Sequence, residues 1–95
     1  MKVYLDDIRK APDDSWVVVK SAIECIEKLQ SGKVRELSLD HDLGKNVLTG
    51  YDVCKWIERE VVLHKFRAPK IKIHSANPVG RKNMEAAISS IKRFV

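Results

Sequence analysis

Residues 36–44 read ELSLDHDLG, and this stretch decides the fold. Leu37 and Leu39 alternate with polar neighbours, the period of two expected of a strand over 36–40. That strand delivers Asp40, His41 and Asp42 at its carboxyl end before Gly44 opens a loop running to Thr49. Upstream, KVYLD (2–6) is a short β-branched and aromatic strand ending in Asp6-Asp7. Downstream, KIKIHS (70–75) alternates again, with Ile71 and Ile73 on one face and Lys72 on the other, and is followed by Asn77. Lysines on such a strand suit a sheet edge.

Helices fall between these strands. Ser21 and Glu24 have capping-box spacing ahead of an apolar face made by Ala22, Ile23, Cys25, Ile26 and Leu29, and Ser31-Gly32 closes the helix. Thr49 caps a second helix, with Asp52 three positions on and Val53, Cys54, Ile57 and Val61 at helical spacing to about Lys65. Asn77-Pro78 opens a third, with Met84, Ala87, Ile88 and Ile91 inward. A further strand, Trp16–Val19, is continuously apolar, as for a strand covered on both faces. The order β-β-α-β-α-β-α predicts a small open, mostly parallel α/β sheet. The loop at 8–15 is shorter than an ordinary parallel crossover. The second strand is therefore either antiparallel or reached by a tight loop that replaces the helix.

The 95 residues read as one domain, 1–95, with 44% hydrophobic and 33% charged residues, a composition expected of a globular chain rather than a disordered one. No apolar run approaches the roughly 18 residues of a membrane span, and the start lacks a signal peptide's apolar stretch. The expectation is a cytoplasmic protein that touches no membrane. Cys25 and Cys54 lie within apolar helical patterns and read as buried thiols. The net charge of +5 favours anionic partners. The basic residues are dispersed, so no specific duplex nucleic-acid binding is expected. The apolar tail Phe94-Val95 and an exposed edge strand leave a homodimer open.

In an open parallel sheet, ligands bind beyond the carboxyl ends of the strands. Acids, imidazoles and small polar side chains collect there. Asp6, Asp7 and Asp40 or Asp42 are candidates to hold Mg²⁺, a hard cation that prefers oxygen ligands and relieves repulsion among carboxylates. His41 and His74 are candidates for general acid and base. Ser75, Asn77, Gly80 and the start of the third helix are candidates to receive phosphate, with Arg9 or Arg81 as its anchor. Each has a plainer reading, as a cap, a turn residue or a surface charge, and it is their convergence that argues for a site.

YLDDIRKAP (4–12), ELSLDHDLG (36–44), TGYDVCKWI (49–57) and IHSANPVGRKNM (73–84) together resemble the cyclic-phosphate processing receiver domains of bacteria and phages. More broadly the chain is similar to response-regulator receivers. The resemblance implies a truncated receiver or flavodoxin-like sheet of order 2-1-3-4 with three helices. It matches Asp6-Asp7 to the acidic pair, Asp40 or Asp42 to the phosphoacceptor and Ser75 to the Thr or Ser hydroxyl that follows the fourth strand. Within residues 1–95 the resemblance finds no counterpart to the receivers' fifth strand with its lysine or to their first crossover helix. The expected function is a phosphoesterase that opens a cyclic phosphate, such as a 2′,3′-cyclic nucleotide or an RNA end. In that reading Asp40, His41, Asp42 and His74 are catalytic and the partner is a phosphorylated small molecule or RNA terminus. The alternatives are a non-catalytic receiver-like binding module and a metal-dependent phosphoacceptor.

Overall fold

The computed structural model describes residues 1–94, so Val95, half of the apolar tail, lies outside the described residues. The elements are β1 (Lys2–Leu5), β2 (Trp16–Val19), α1 (Ala22–Gln30), β3 (Glu36–Leu39), α2 (Gly50–His64), β4 (Lys70–Ile73) and α3 (Pro78–Lys92). They build one sheet of order β2-β1-β3-β4, with every pair parallel. The open question about β2 resolves in favour of the loop. Residues 6–15 carry no helix, and Lys2 still pairs with Trp16 and Leu5 with Val19 in parallel register. A four-residue strand is only about 13 Å long, so an extended loop can return the chain to its start.

The helices form where the sequence signals them. Thr49 and Asp52 make both halves of a capping box on α2, and Asn77 caps α3 through Gly80 N with Pro78 in the first turn. Ser21 Oγ accepts from Glu24 N at the head of α1. Met84, Ala87 and Ile91 are buried, and Ile88 packs at the margin of the core. Cys25 and Cys54 are fully buried, and burial pushes each thiol up to about 12.

Two expectations about exposure need correction. Trp16–Val19 is not covered on both faces: Val17 and Val18 are 36% and 43% exposed, and only Val19 is buried. An apolar run specifies a strand but not its neighbours, and β2 lies at the sheet edge. Ile23 is likewise not part of the buried face of α1, being 60% exposed. Ala22, Cys25 and Leu29 already fill the stripe that meets the core, and a residue next to that stripe is rotated about 100° away.

The register divides the sheet into unlike faces. Val3, Leu5, Val19, Leu37 and Leu39 point one way and form the core with the buried residues of α1, α2 and α3. Lys2, Tyr4, Trp16, Val18, Ser38, Lys70 and Lys72 alternate with them and belong to the opposite face. No described residue of that second face joins the core cluster.

Candidate functional site at the carboxyl rim

The carboxyl ends of β1, β3 and β4 stand side by side because the strands are parallel and in matched register. Asp6 follows Leu5, Asp40 follows Leu39, and His74 follows Ile73. A cleft of about 540 Å³ opens there, lined by Asp6, Asp7, Arg9, Asp40, Asp42 and Asn77, with Ile8, Gly44 and Ala76. A larger groove of about 770 Å³ lies among the helices beside Trp56 and Phe94. Its lining is mostly apolar, and Lys55 there is paired with Glu58, so it lacks the close cluster of acids found at the rim.

Asp6 is the hub. It is 2% exposed, and its Oδ1 accepts from Ile8 N and Arg9 N, each at 2.9 Å, while Oδ2 accepts from His74 Nε2 at 3.1 Å. Burial alone raises its pKa, but the two backbone donors and His74 outweigh that and hold the carboxyl below its ordinary range. Asp40 shows the opposite balance. It accepts one bond, from His41 N at 2.9 Å, and burial, with Asp6 nearby, raises its pKa.

Asp6, Asp7 and Asp40 each offer an oxygen within 4.8 Å of the others. Three carboxylates so close, one of them disfavoured in its charged form, make an all-oxygen donor set that fits a hard divalent cation. Of the two alternatives for the end of β3, Asp40 is the one that joins this trio. Asp42 turns instead to His41 Nδ1, at 2.9 Å, and accepts from Asn77 Nδ2 at 3.2 and 3.3 Å. These bonds, His41's first, lower its pKa.

The two histidines differ. His74 lies against Tyr4 with ring centroids 4.2 Å apart and planes 3° from parallel, and its Nδ1 is 2.7 Å from Ser38 Oγ. An ionised Asp6 can only accept, so Nε2 carries the proton and Nδ1 of the neutral ring accepts from Ser38. Both nitrogens are therefore engaged. Burial dominates at His74 and lowers its pKa, so the neutral form is favoured. His41 binds Asp42 through Nδ1 alone, and its unpartnered Nε2 is not sealed from solvent.

The predicted residues do not all reach the cleft: neither His41 nor His74 is among its lining residues, and each meets it through an acid, Asp42 and Asp6 respectively. Ser75 is buried, and its hydroxyl accepts from Asn77 N at 3.1 Å. Gly80 gives its amide to Asn77 Oδ1, and the space a Cβ would fill holds the His41 ring, 2.3 Å from the ideal Cβ position. The close approach at Gly80 is thus made by an imidazole. Arg81 does not line the cleft; it bonds Ile73 O and Ser75 O and pairs with Glu85. Arg9 is the guanidinium on the cleft, anchored to His74 O at 2.6 Å.

Sequence reasoning missed three supporting residues. Ser38 and Tyr4 read as ordinary strand positions, yet they fix the His74 ring. Gly50 lets the start of α2 press on the end of β3, since a Cβ there would sit 1.9 Å from Asp40 O. The signal for Ser38 was a hydroxyl among leucines; Tyr4 and Gly50 gave none.

Comparison with known proteins agrees with this architecture. The family described as Cyclic-phosphate processing Receiver domain matches residues 1–90. A 47-residue stretch, 50% of the chain, is 43% identical to Auxin response factor 5 of Oryza sativa subsp. japonica, but it spans only 4% of that protein. No solved structure matches. The match over residues 1–90 covers nearly the whole chain, which belongs to the cyclic-phosphate processing receiver family.

Proposed function

We propose that this member of the cyclic-phosphate processing receiver family is a phosphoesterase that opens a cyclic phosphate, a 2′,3′-cyclic nucleotide or RNA end, to a monoester. The observation that carries the reading is the meeting of three carboxylates, Arg9 and Asn77 on one cleft, whose Asp42 is bonded to His41 Nδ1 just behind the lining.

Asp6, Asp7 and Asp40 would hold Mg²⁺, which when bound supplies positive charge toward phosphate oxygens. Arg9 adds a second cation on the same cleft. The oxygen of water attacks phosphorus, one ester P–O bond of the ring breaks, and the freed alkoxide takes a proton. His41 Nε2 removes the proton from water and returns one to the leaving oxygen, while Asp42 holds Nδ1 and stabilises the imidazolium. His74, with both nitrogens engaged, acts by positioning Asp6 rather than by direct proton transfer. Asn77 orients Asp42 and caps α3 at once, and Ser75 holds the turn that carries Asn77.

³¹P NMR of the protein with a 2′,3′-cyclic nucleotide and Mg²⁺ tests this reading. The expected result is conversion to a monoester that EDTA stops and that His41→Ala or Asp40→Asn abolishes with the fold intact. Conversion untouched by EDTA would remove the metal from the proposal. No conversion of any cyclic phosphate would favour a non-catalytic binding module instead.

A further inference from the structure

The β1–β2 connection is a loop, and β2, β3 and β4 are followed by helices that all join the core on one side of the sheet. The second face therefore has no helix over it among the described residues. Parallel sheets normally have both faces covered. Tyr4 and Ser38 on this face are shielded by their own neighbours: Trp16 meets Tyr4 edge-on at 5.9 Å, and His74 stacks on its ring.

Lysines outnumber acids on this face. Register sets Lys2, Glu36 and Lys70 in one row, with the acid between the two lysines, and Tyr4, Ser38 and Lys72 in the next. Asp13 acts on Lys2 from the loop, so the unneutralised charge is that of Lys70 and Lys72 at the β4 edge. Lys70 and Lys72 are exposed and free of ion pairs among the described residues, whereas Lys2 lies over the Trp16 ring at 4.4 Å and donates to Ser15 Oγ at 3.0 Å. The face is also continuous with the cleft. The His74 ring that stacks on Tyr4 donates to Asp6, and Arg9, on the cleft, reaches the carbonyl of His74. Counting back along β4 from His74, Lys72 and then Lys70 follow on this face.

We infer that the helix-free face of the sheet is a docking surface for single-stranded RNA, whose terminal phosphate occupies the cleft while the preceding backbone runs over Lys72, Lys70 and Lys2. The inference rests on the proposed function and deepens it, making the substrate a polymer end rather than a free nucleotide. Backbone contacts from lysines, beside an aromatic residue, bind single strands without reading a duplex groove.

The test is fluorescence anisotropy with a labelled single-stranded RNA of about ten nucleotides ending in a 2′,3′-cyclic phosphate, compared with the same RNA ending in a hydroxyl. Wild type is expected to bind both, the cyclic end more tightly. The double variant K70E/K72E should lose at least tenfold in affinity, and neutral K70Q/K72Q should flatten the salt dependence by about 1.4 logarithmic units per decade. The variant K28E/K65E, on α1 and at the end of α2 with the same change in net charge, should lose much less. Equal losses in the face and helix variants would overturn the inference, as would no RNA binding by wild type, the result expected if a protein covers this face.

Turnover of a free 2′,3′-cyclic mononucleotide should be unchanged in K70E/K72E. RNA binding that depends on this face, without turnover of any cyclic phosphate, would uphold the docking surface and remove the catalytic reading. Mononucleotide turnover without RNA binding would do the reverse.

Discussion

His74 Nε2 donates to Asp6 Oδ2 at 3.1 Å across 68 positions of sequence, and this bond ties the end of β4 to the end of β1 past the strand between them. The ring is fixed from two other directions, by Ser38 Oγ at Nδ1 and by the face of Tyr4. Such a histidine is held in one tautomer, and the carboxylate it meets is held in one rotamer.

Removing either partner should therefore cost stability. Ser38→Ala leaves His74 Nδ1 without its donor and is expected to cost about 1–2 kcal/mol. His74→Ala removes two bonds and the stack on Tyr4, and is expected to cost about 2–4 kcal/mol. Urea unfolding measures both. A Ser38→Ala variant as stable as wild type would show that the bond to His74 contributes nothing.

The same ring sets a pH dependence. Its pKa in the folded protein lies below the ordinary 6.5, chiefly through burial, so between the two values the unfolded chain binds more protons. Stability is complete above the ordinary value and falls as pH drops through it. Asp6, with its lowered pKa, adds a further loss at more acidic pH, as its carboxylate becomes protonated. Thermal melts between pH 7.5 and 5.5 should show a falling midpoint in wild type and a flatter profile in His74→Asn. An equally steep decline in that variant would assign the effect elsewhere.

Asp40 carries the opposite sign. Burial raises its pKa, so its charged form burdens the fold at neutral pH. Asp40→Asn keeps an oxygen for His41 N while removing that charge, and should melt higher than wild type at pH 7 without added metal. Mg²⁺ should raise the wild-type midpoint, by about 2.7 kcal/mol of stability at a hundredfold excess over Kd, and have much less effect on Asp40→Asn or Asp7→Asn. Calorimetry with and without EDTA reads both. An Asp40→Asn variant that melts lower, or a wild type indifferent to Mg²⁺, would contradict the account of this cluster.

Two glycines separate fold from function. A Cβ at Gly50 would meet backbone, Asp40 O at 1.9 Å, so Gly50→Ala must push α2 away from β3 and is expected to cost about 3 kcal/mol or more. The atoms nearest a Cβ at Gly80 belong to the His41 ring, a side chain rather than backbone, so it is the imidazole that must shift. Gly80→Ala should thus stay folded with a smaller loss, while displacing His41 and reducing turnover of a cyclic phosphate at least tenfold. Circular dichroism and the ³¹P assay together decide. Full turnover in Gly80→Ala would detach His41 from the chemistry.

Much of this was legible in residues close along the chain. Capping at Ser21, Thr49 and Asn77 and the alternation about Leu37 and Ile71 are short-range signals, and each locates an element to within a residue or two. The strand order 2-1-3-4 followed from the resemblance carried by DHDLG and HSANPVGR, and the family match over residues 1–90 agrees with it. The gathering of Asp6, Asp7, Asp40, Asp42 and Asn77 at one rim was also readable, because parallel strands must end on the same side.

What the sequence left undetermined depends on which distant atoms touch. Leu39-Asp40-His41-Asp42 reads the same whichever acid joins Asp6, and only packing turns Asp40 into the trio and Asp42 toward Asn77. His74 looks like any imidazole until Ser38 and Asp6 claim both nitrogens. Val17 and Val18 look buried until β2 proves to be an edge. Periodicity and capping report contacts within a few residues, whereas a hydrogen bond across 68 positions, or a face left without a helix, is settled by how the strands lie beside one another.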